Sequence, residues 1–181
     1  MSIKDKADEL INKFGIIEIL QKYGKVYIVG SYTMDVMTWN DLDIYLDQSD
    51  FSHHKYCEIL AELVRVLSPI RFNGILKADQ NLMFIGLETE LSGERWNLDI
   101  WWKDKSEIDS AISYSRELMC KMKNNPEYKN TLFIIKQELI KRKFYGFDKG
   151  KIHYHSNEIY SAVFDKGVVS TEQFLKLYSK E

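Results

Sequence analysis

The sequence predicts an α/β (α+β) fold: a mixed α/β core over residues 1–103, then a helical C-terminal region over residues 104–181. Three observations carry this. Up to Lys103, short apolar runs with period-two alternation are interleaved with helical periods. Beyond Lys103 only helical periods remain. A hydrophobic fraction of 45% over 181 residues is enough to build a sizeable core. The second part is expected to pack on the first as a bundle.

The elements follow in order. From Lys4 to Tyr23, apolar residues at Leu10, Ile11, Phe14, Ile17 and Leu20 recur at three- and four-residue steps, which predicts one amphipathic helix ended by Gly24. Lys25 to Val29 is β-rich. Asp41 to Leu46 alternates strictly, with Asp41, Asp43 and Tyr45 on one face and Leu42, Ile44 and Leu46 on the other. Ser52 caps a helix to Leu67. Ile70–Leu76, Leu82–Leu87 and Trp96–Trp102 read as a meander, with turns at Ala78–Asn81 and Leu91–Glu94. In its last strand Asn97, Asp99 and Trp101 share a face. Ser106-x-x-Asp109 caps a helix to Lys123, Pro126 opens another to Tyr145, and Ser156 and Ser170 start two shorter ones. Ser170-Thr171-Glu172-Gln173 has the form of a capping box.

Bulk properties narrow the function. A net charge of −2, from 25 basic and 27 acidic residues, argues against a long duplex as partner. Cys57 and Cys120 are isolated and make no metal-type spacing; they read as reduced thiols of a cytoplasmic chain. The N-terminus mixes acids with bases and leads into no continuous apolar run, so neither a signal peptide nor a membrane span is expected.

The chemistry concentrates between Val29 and Leu46. Asp41 and Asp43 leave the same strand face roughly 7 Å apart. Two anions held that close call for a cation or donors between them. Divalent magnesium takes oxygen ligands and commonly keeps substrate phosphates in its shell. Asp99 has the same setting, and if its strand lies beside that of Asp41 and Asp43 it completes a triad able to support phosphoryl displacement. At the other end, Gly30 permits close backbone approach to a phosphate. Ser31 is expected to cap the helix that starts there, its hydroxyl and the first amides facing a polyphosphate. Alone, Gly-Ser after a strand is a turn and Asp-x-Asp a solvated face; the combination with a third acid favours a site.

Together, Val29-Gly30-Ser31, a nine-residue spacer, Asp41-Leu42-Asp43-Ile44 and Leu98-Asp99-Ile100 resemble the nucleotidyltransferase superfamily of polymerase beta-like fold. The resemblance to its catalytic core covers residues 10 to 103. The tail, at Tyr154–Tyr160 and Lys166–Val169, is similar to the C-terminal segment of small stand-alone bacterial members. The resemblance implies a polymerase beta-like core with a mixed sheet, and transfer of a nucleoside monophosphate from a nucleoside triphosphate, ATP by expectation, to an acceptor hydroxyl. It implies triphosphate on Gly30 and Ser31, Mg2+ or Mn2+ on Asp41, Asp43 and Asp99, and activation of the acceptor by Asp99. The acceptor is expected to be a small molecule or a protein rather than nucleic acid. The alternatives are a non-catalytic nucleotide-binding protein of the same fold and the toxin of a toxin–antitoxin pair, with an antitoxin as partner.

Other features have plainer readings. His153-Tyr154-His155 lacks further ligands nearby and reads as an exposed loop. His53 and His54 point to different faces. Lys136, Lys141, Arg142 and Lys143 read as a solvated basic helix face, one of which the resemblance would send to the triphosphate. Glu88 and Glu90 read as solvated edge charges. Of Trp101 and Trp102, facing opposite ways, one belongs to the core and the other is free to stack on a substrate ring.

Overall fold

The structure, a computed structural model, describes residues 2–77, 79, 82–147 and 150–179. The turn expected at Ala78–Asn81 lies outside them apart from Asp79. The chain divides into two compact units, Met1–Ser115 and Arg116–Glu181.

The first unit holds a five-stranded sheet. Its strands are β1 (Val26–Val29), β2 (Asp41–Asp47), β3 (Arg71–Lys77), β4 (Leu82–Leu91) and β5 (Glu94–Lys103), in the order β1-β2-β5-β4-β3. β3, β4 and β5 form the expected antiparallel meander, and β1 runs antiparallel to β2. β2 and β5 pair in parallel. Alternation then separates the two faces. Leu42, Ile44, Leu46, Leu98, Ile100 and Trp102 are buried in one cluster with residues of helices α1 (Ile3–Phe14), α2 (Ile16–Gln21) and α4 (His53–Leu67). The opposite face carries the half-buried Asp41, Asp43, Asn97 and Asp99. A short helix α3 (Gly30–Thr33) follows β1.

The first expected helix is two helices. Gly15, at φ +60°, caps α1 in the left-handed conformation and α2 starts at once. The apolar period runs through Gly15 without a phase break, so periodicity alone does not show the kink. Ser52 does cap α4, accepting from the Lys55 amide at 3.2 Å.

Helix α5 (Lys105–Asn124) begins two residues earlier than a Ser106 cap would place it, and its cap is Asp104 rather than Ser106. The Asp104 carboxylate accepts from the Glu107 amide at 2.8 Å, and Glu107 accepts from the Asp104 amide at 3.3 Å. This reciprocal pair satisfies two amides that a helix start leaves bare. Glu88 is no edge charge either. β4 is an interior strand, and Glu88 pairs with Arg71 and Arg95. Trp102 is the core tryptophan, packed near Phe51 and Tyr56, while Trp101 lies on the acidic face with its ring 4.3 Å from that of Phe84.

In the second unit, α6 (Glu127–Lys141), α7 (Ser156–Asp165) and α8 (Thr171–Leu177) pack on one another around Leu132, Ile135, Leu139, Ile159 and Phe174. α6 stops at Lys141, short of Tyr145. Ser170 accepts from the Gln173 amide, but the Gln173 side chain turns back to the Val169 amide, so the expected box is offset by one residue. Lys136 is not on a solvated face. It is fully buried and donates to the Tyr160 hydroxyl at 3.0 Å, its ammonium 4.7 Å from that ring's centroid. Lys141 and Lys143 are exposed.

Burying an ammonium is costly, and an apolar side chain of similar length in its place is free of that desolvation cost. Lys136→Met is therefore expected to melt at or above the wild-type temperature. A loss above about 3 kcal/mol in urea titration, the cost of breaking a buried pair, would show that Lys136 holds the unit together.

Candidate active site

Parallel pairing brings the acids together. Asp41 is matched with Asn97 and Asp43 with Asp99. Matched residues on parallel neighbours project to the same face, about 4.8 Å apart, and alternate residues along a strand stand about 7 Å apart. Asp41, Asn97, Asp43 and Asp99 thus mark four corners of one patch, three acidic and one amide. The Asn97 amide donates to Asp41 Oδ1 at 2.7 Å.

Gly30 adjoins this patch. Val29 is matched with Asp43 across the β1–β2 pair, and Gly30 turns out of β1 at φ +70°. A Cβ at Gly30 would collide with the Asp43 carboxylate. Only glycine meets both the conformation and the contact. Ser31 is buried, but it lies inside α3 and does not cap it; the N-cap position is Val29, which has no side-chain acceptor.

Tyr32 and the loop before β2 hold these pieces. The Tyr32 hydroxyl donates to Asp8 of α1 at 2.5 Å, and the Lys4 ammonium lies 4.2 Å from its ring centroid. Burial, then the bond to Asp8 and its charge, push the Tyr32 phenol up to about 12. Asn40 donates to Glu94 at 3.3 Å and to the Arg95 carbonyl at 3.1 Å. Its own carbonyl accepts from the Asn97 amide N–H at 2.9 Å. Glu94 also takes Lys6 of α1. Tyr45, next along the acidic face, is raised by burial and then by the charges of Asp43 and Glu107.

The donor set suits a hard divalent ion, which takes oxygens and usually needs one or two protein carboxylates beside substrate phosphates. Asp43 and Asp99 at one register, with Asp41 one step along, supply them. Among the described residues no three His, Cys, Asp or Glu side chains gather closely enough to enclose an ion. An ion held at this face would need further oxygens to complete its shell. Periodicity shows that Asn97 shares the face of Asp99, but only the strand pairing shows it to be the partner of Asp41. The rings of His153 and His155 stand 5.1 Å apart, edge to face, in the second unit. His54 lies 3.3 Å from Glu58 on α4.

Two outcomes follow for the turn. Gly30→Ala should cost about 1–3 kcal/mol in urea melts through strain and the collision with Asp43. The Tyr32 pKa is raised on folding, so the stability it contributes is complete below pH 10 and falls as pH rises toward about 12. Tyr32→Phe should flatten that alkaline loss, measured by melting temperature against pH.

No family model matches the chain, and no curated protein sequence matches it. Solved structures do. A poly(A) polymerase complex, GLD-2–GLD-3, is 13% identical over 97% of this chain and 57% of its own, with a TM-score of 0.62. The Cid1 poly(U) polymerase is 15% identical over 80% of this chain and 44% of its own, with a TM-score of 0.58. A cytoplasmic RNA terminal U-transferase is 18% identical over 78% of this chain and 40% of its own, with a TM-score of 0.54. The chain spans about half the length of these structures. Its mixed five-stranded sheet with helices has the fold of these structures, a polymerase beta-like fold.

Proposed function

We propose that the protein transfers a nucleoside monophosphate from a nucleoside triphosphate to an acceptor hydroxyl, releasing pyrophosphate, with Mg2+ or Mn2+ as cofactor. The observation that carries this is the matching of Asp43 with Asp99, with Gly30 against the Asp43 carboxylate. That arrangement puts a phosphate-approachable turn next to paired acids. One fold neighbour was solved with magnesium and 3'-dATP, which supports both ligands here.

In this reading Gly30 and Ser31 bind the triphosphate tail and orient the α-phosphorus. Asp41, Asp43 and Asp99 would hold the ion, whose chemistry is to neutralise charge on the phosphates and the departing pyrophosphate. Asp99 accepts the proton of the acceptor hydroxyl, so that its oxygen can attack the α-phosphorus. The β/γ pyrophosphate leaves as the new phosphoester forms. Phosphoryl transfer asks the protein mainly for positioning and charge stabilisation, and these residues are suited to both. ATP is the donor we propose; the net charge of −2 favours a small molecule or a protein side chain as acceptor over nucleic acid. We further propose that the chain acts in the cytoplasm; among the described residues no helix is long and apolar enough to cross a membrane.

A second reading has its own support. Since no three acids gather closely among the described residues, the chain could bind nucleotide without turnover. Pyrophosphate release separates the two. With each nucleoside triphosphate, a panel of hydroxyl acceptors and Mg2+ or Mn2+, the enzyme should release pyrophosphate. Asp43→Asn should abolish it. Because neutralising one of several close anions relieves repulsion, the metal-free Asp43→Asn protein should be at least as stable as wild type. A triphosphate-induced rise in melting temperature without pyrophosphate release would leave the binding-only reading standing.

A further inference from the structure

Three of the four corners of the acidic patch are carboxylates; the fourth, Asn97, is an amide. This difference has a physical use. A fourth carboxylate would add another like charge to a strand face that already carries three. An apolar residue would leave the Asp41 carboxylate without the donor that orients it. The Asn97 amide does neither: it donates to Asp41 Oδ1 at 2.7 Å, and a carboxylate so engaged keeps lone pairs for an ion. Asn97 is itself fixed. Its backbone N–H donates to Asn40, and Asn40 is tied through Glu94 to Lys6 of α1. The neighbour that turns Asp41 is therefore anchored to the helical layer.

We infer that Asn97 is a positioning residue that aims Asp41 at the divalent ion, and that its amide holds the patch to three charges. This rests on the nucleotidyltransferase reading. Groups that hydrogen-bond to metal ligands typically change metal affinity 10–100-fold when removed.

The test uses the full chain and a non-hydrolysable triphosphate, α,β-methylene ATP, so no turnover is needed. The readout is the Mg2+ concentration at the midpoint of the rise in melting temperature. Asn97→Leu, of the same branched shape but with no donor, should move that midpoint up by about 10–100-fold. Asn97→Gln, which keeps an amide donor on a longer arm, should recover part of the shift. Asn97→Asp should lower the metal-free melting temperature and enlarge the rise that Mg2+ brings, because the ion then relieves four charges. A residue with only a structural role would lower the metal-free melting temperature in Asn97→Leu and leave the midpoint in place; that result overturns the assignment and leaves the nucleotidyltransferase reading intact. If wild type itself shows no Mg2+-dependent rise with the analogue, both fall together.

Discussion

Parallel strands project matched residues to the same side, and the register of β2 on β5 is what places Asp43 beside Asp99. A slip of one residue would set Asp43 against Leu98 or Ile100 and turn the apolar residues of one strand out of the core. The register is defended from below. Leu42, Ile44 and Leu46 of β2 and Leu98, Ile100 and Trp102 of β5 are buried in the same cluster as the helices. Each buried aliphatic side chain contributes about 1.5–3 kcal/mol that a slip would forfeit. The hydrophobic face thus holds the like charges of the other face in place.

The same logic explains Gly30 and the surrounding ties. The turn at Gly30 comes close to the Asp43 carboxylate, which only a residue without a Cβ permits. Tyr32 then fastens α3 to α1 through Asp8, and Asn40 fastens the start of β2 to the β4–β5 hairpin through Glu94. Both ties reach α1, by way of Asp8 and Lys6, two residues apart on its first turns. A helix remote from the acids in sequence thus ties α3 and the start of β2 to one element.

Much of this can be read from the sequence because strand alternation has an unambiguous period. Asp41 and Asp43 declare their shared face by the apolar residues between them, and Asp99 does so by Leu98 and Ile100. Features set by local geometry are less legible. Gly15 falls within an unbroken apolar period, so the break between α1 and α2 shows only in its left-handed φ. Asp104 and Ser106 are both plausible caps, and the reciprocal bond of Glu107 decides for Asp104. Others depend on strand order. Glu88 looks like an edge charge until β3 is placed outside β4, and Asn97 looks like any polar residue until β5 is laid on β2. Lys136 sits in a run of basic residues that suggests solvent, yet the packing of α6 on α7 takes it alone inside.

β3 closes the far edge of the sheet, and its exposure has a practical consequence. Phe72 and Leu76 are 48% and 38% exposed, and Ile70 just before the strand is 62% exposed. An outer strand with such side chains is a template for unwanted pairing between molecules. Lys77 at one end, and Arg71 with its Glu88 partner at the other, meet in the centred antiparallel register of a second copy, where lysine would face arginine. Salt weakens that guard, since exposed charges are screened over about 10 Å at 0.1 M ionic strength. The edge is thus better guarded at low ionic strength, where the charges at its two ends reach furthest.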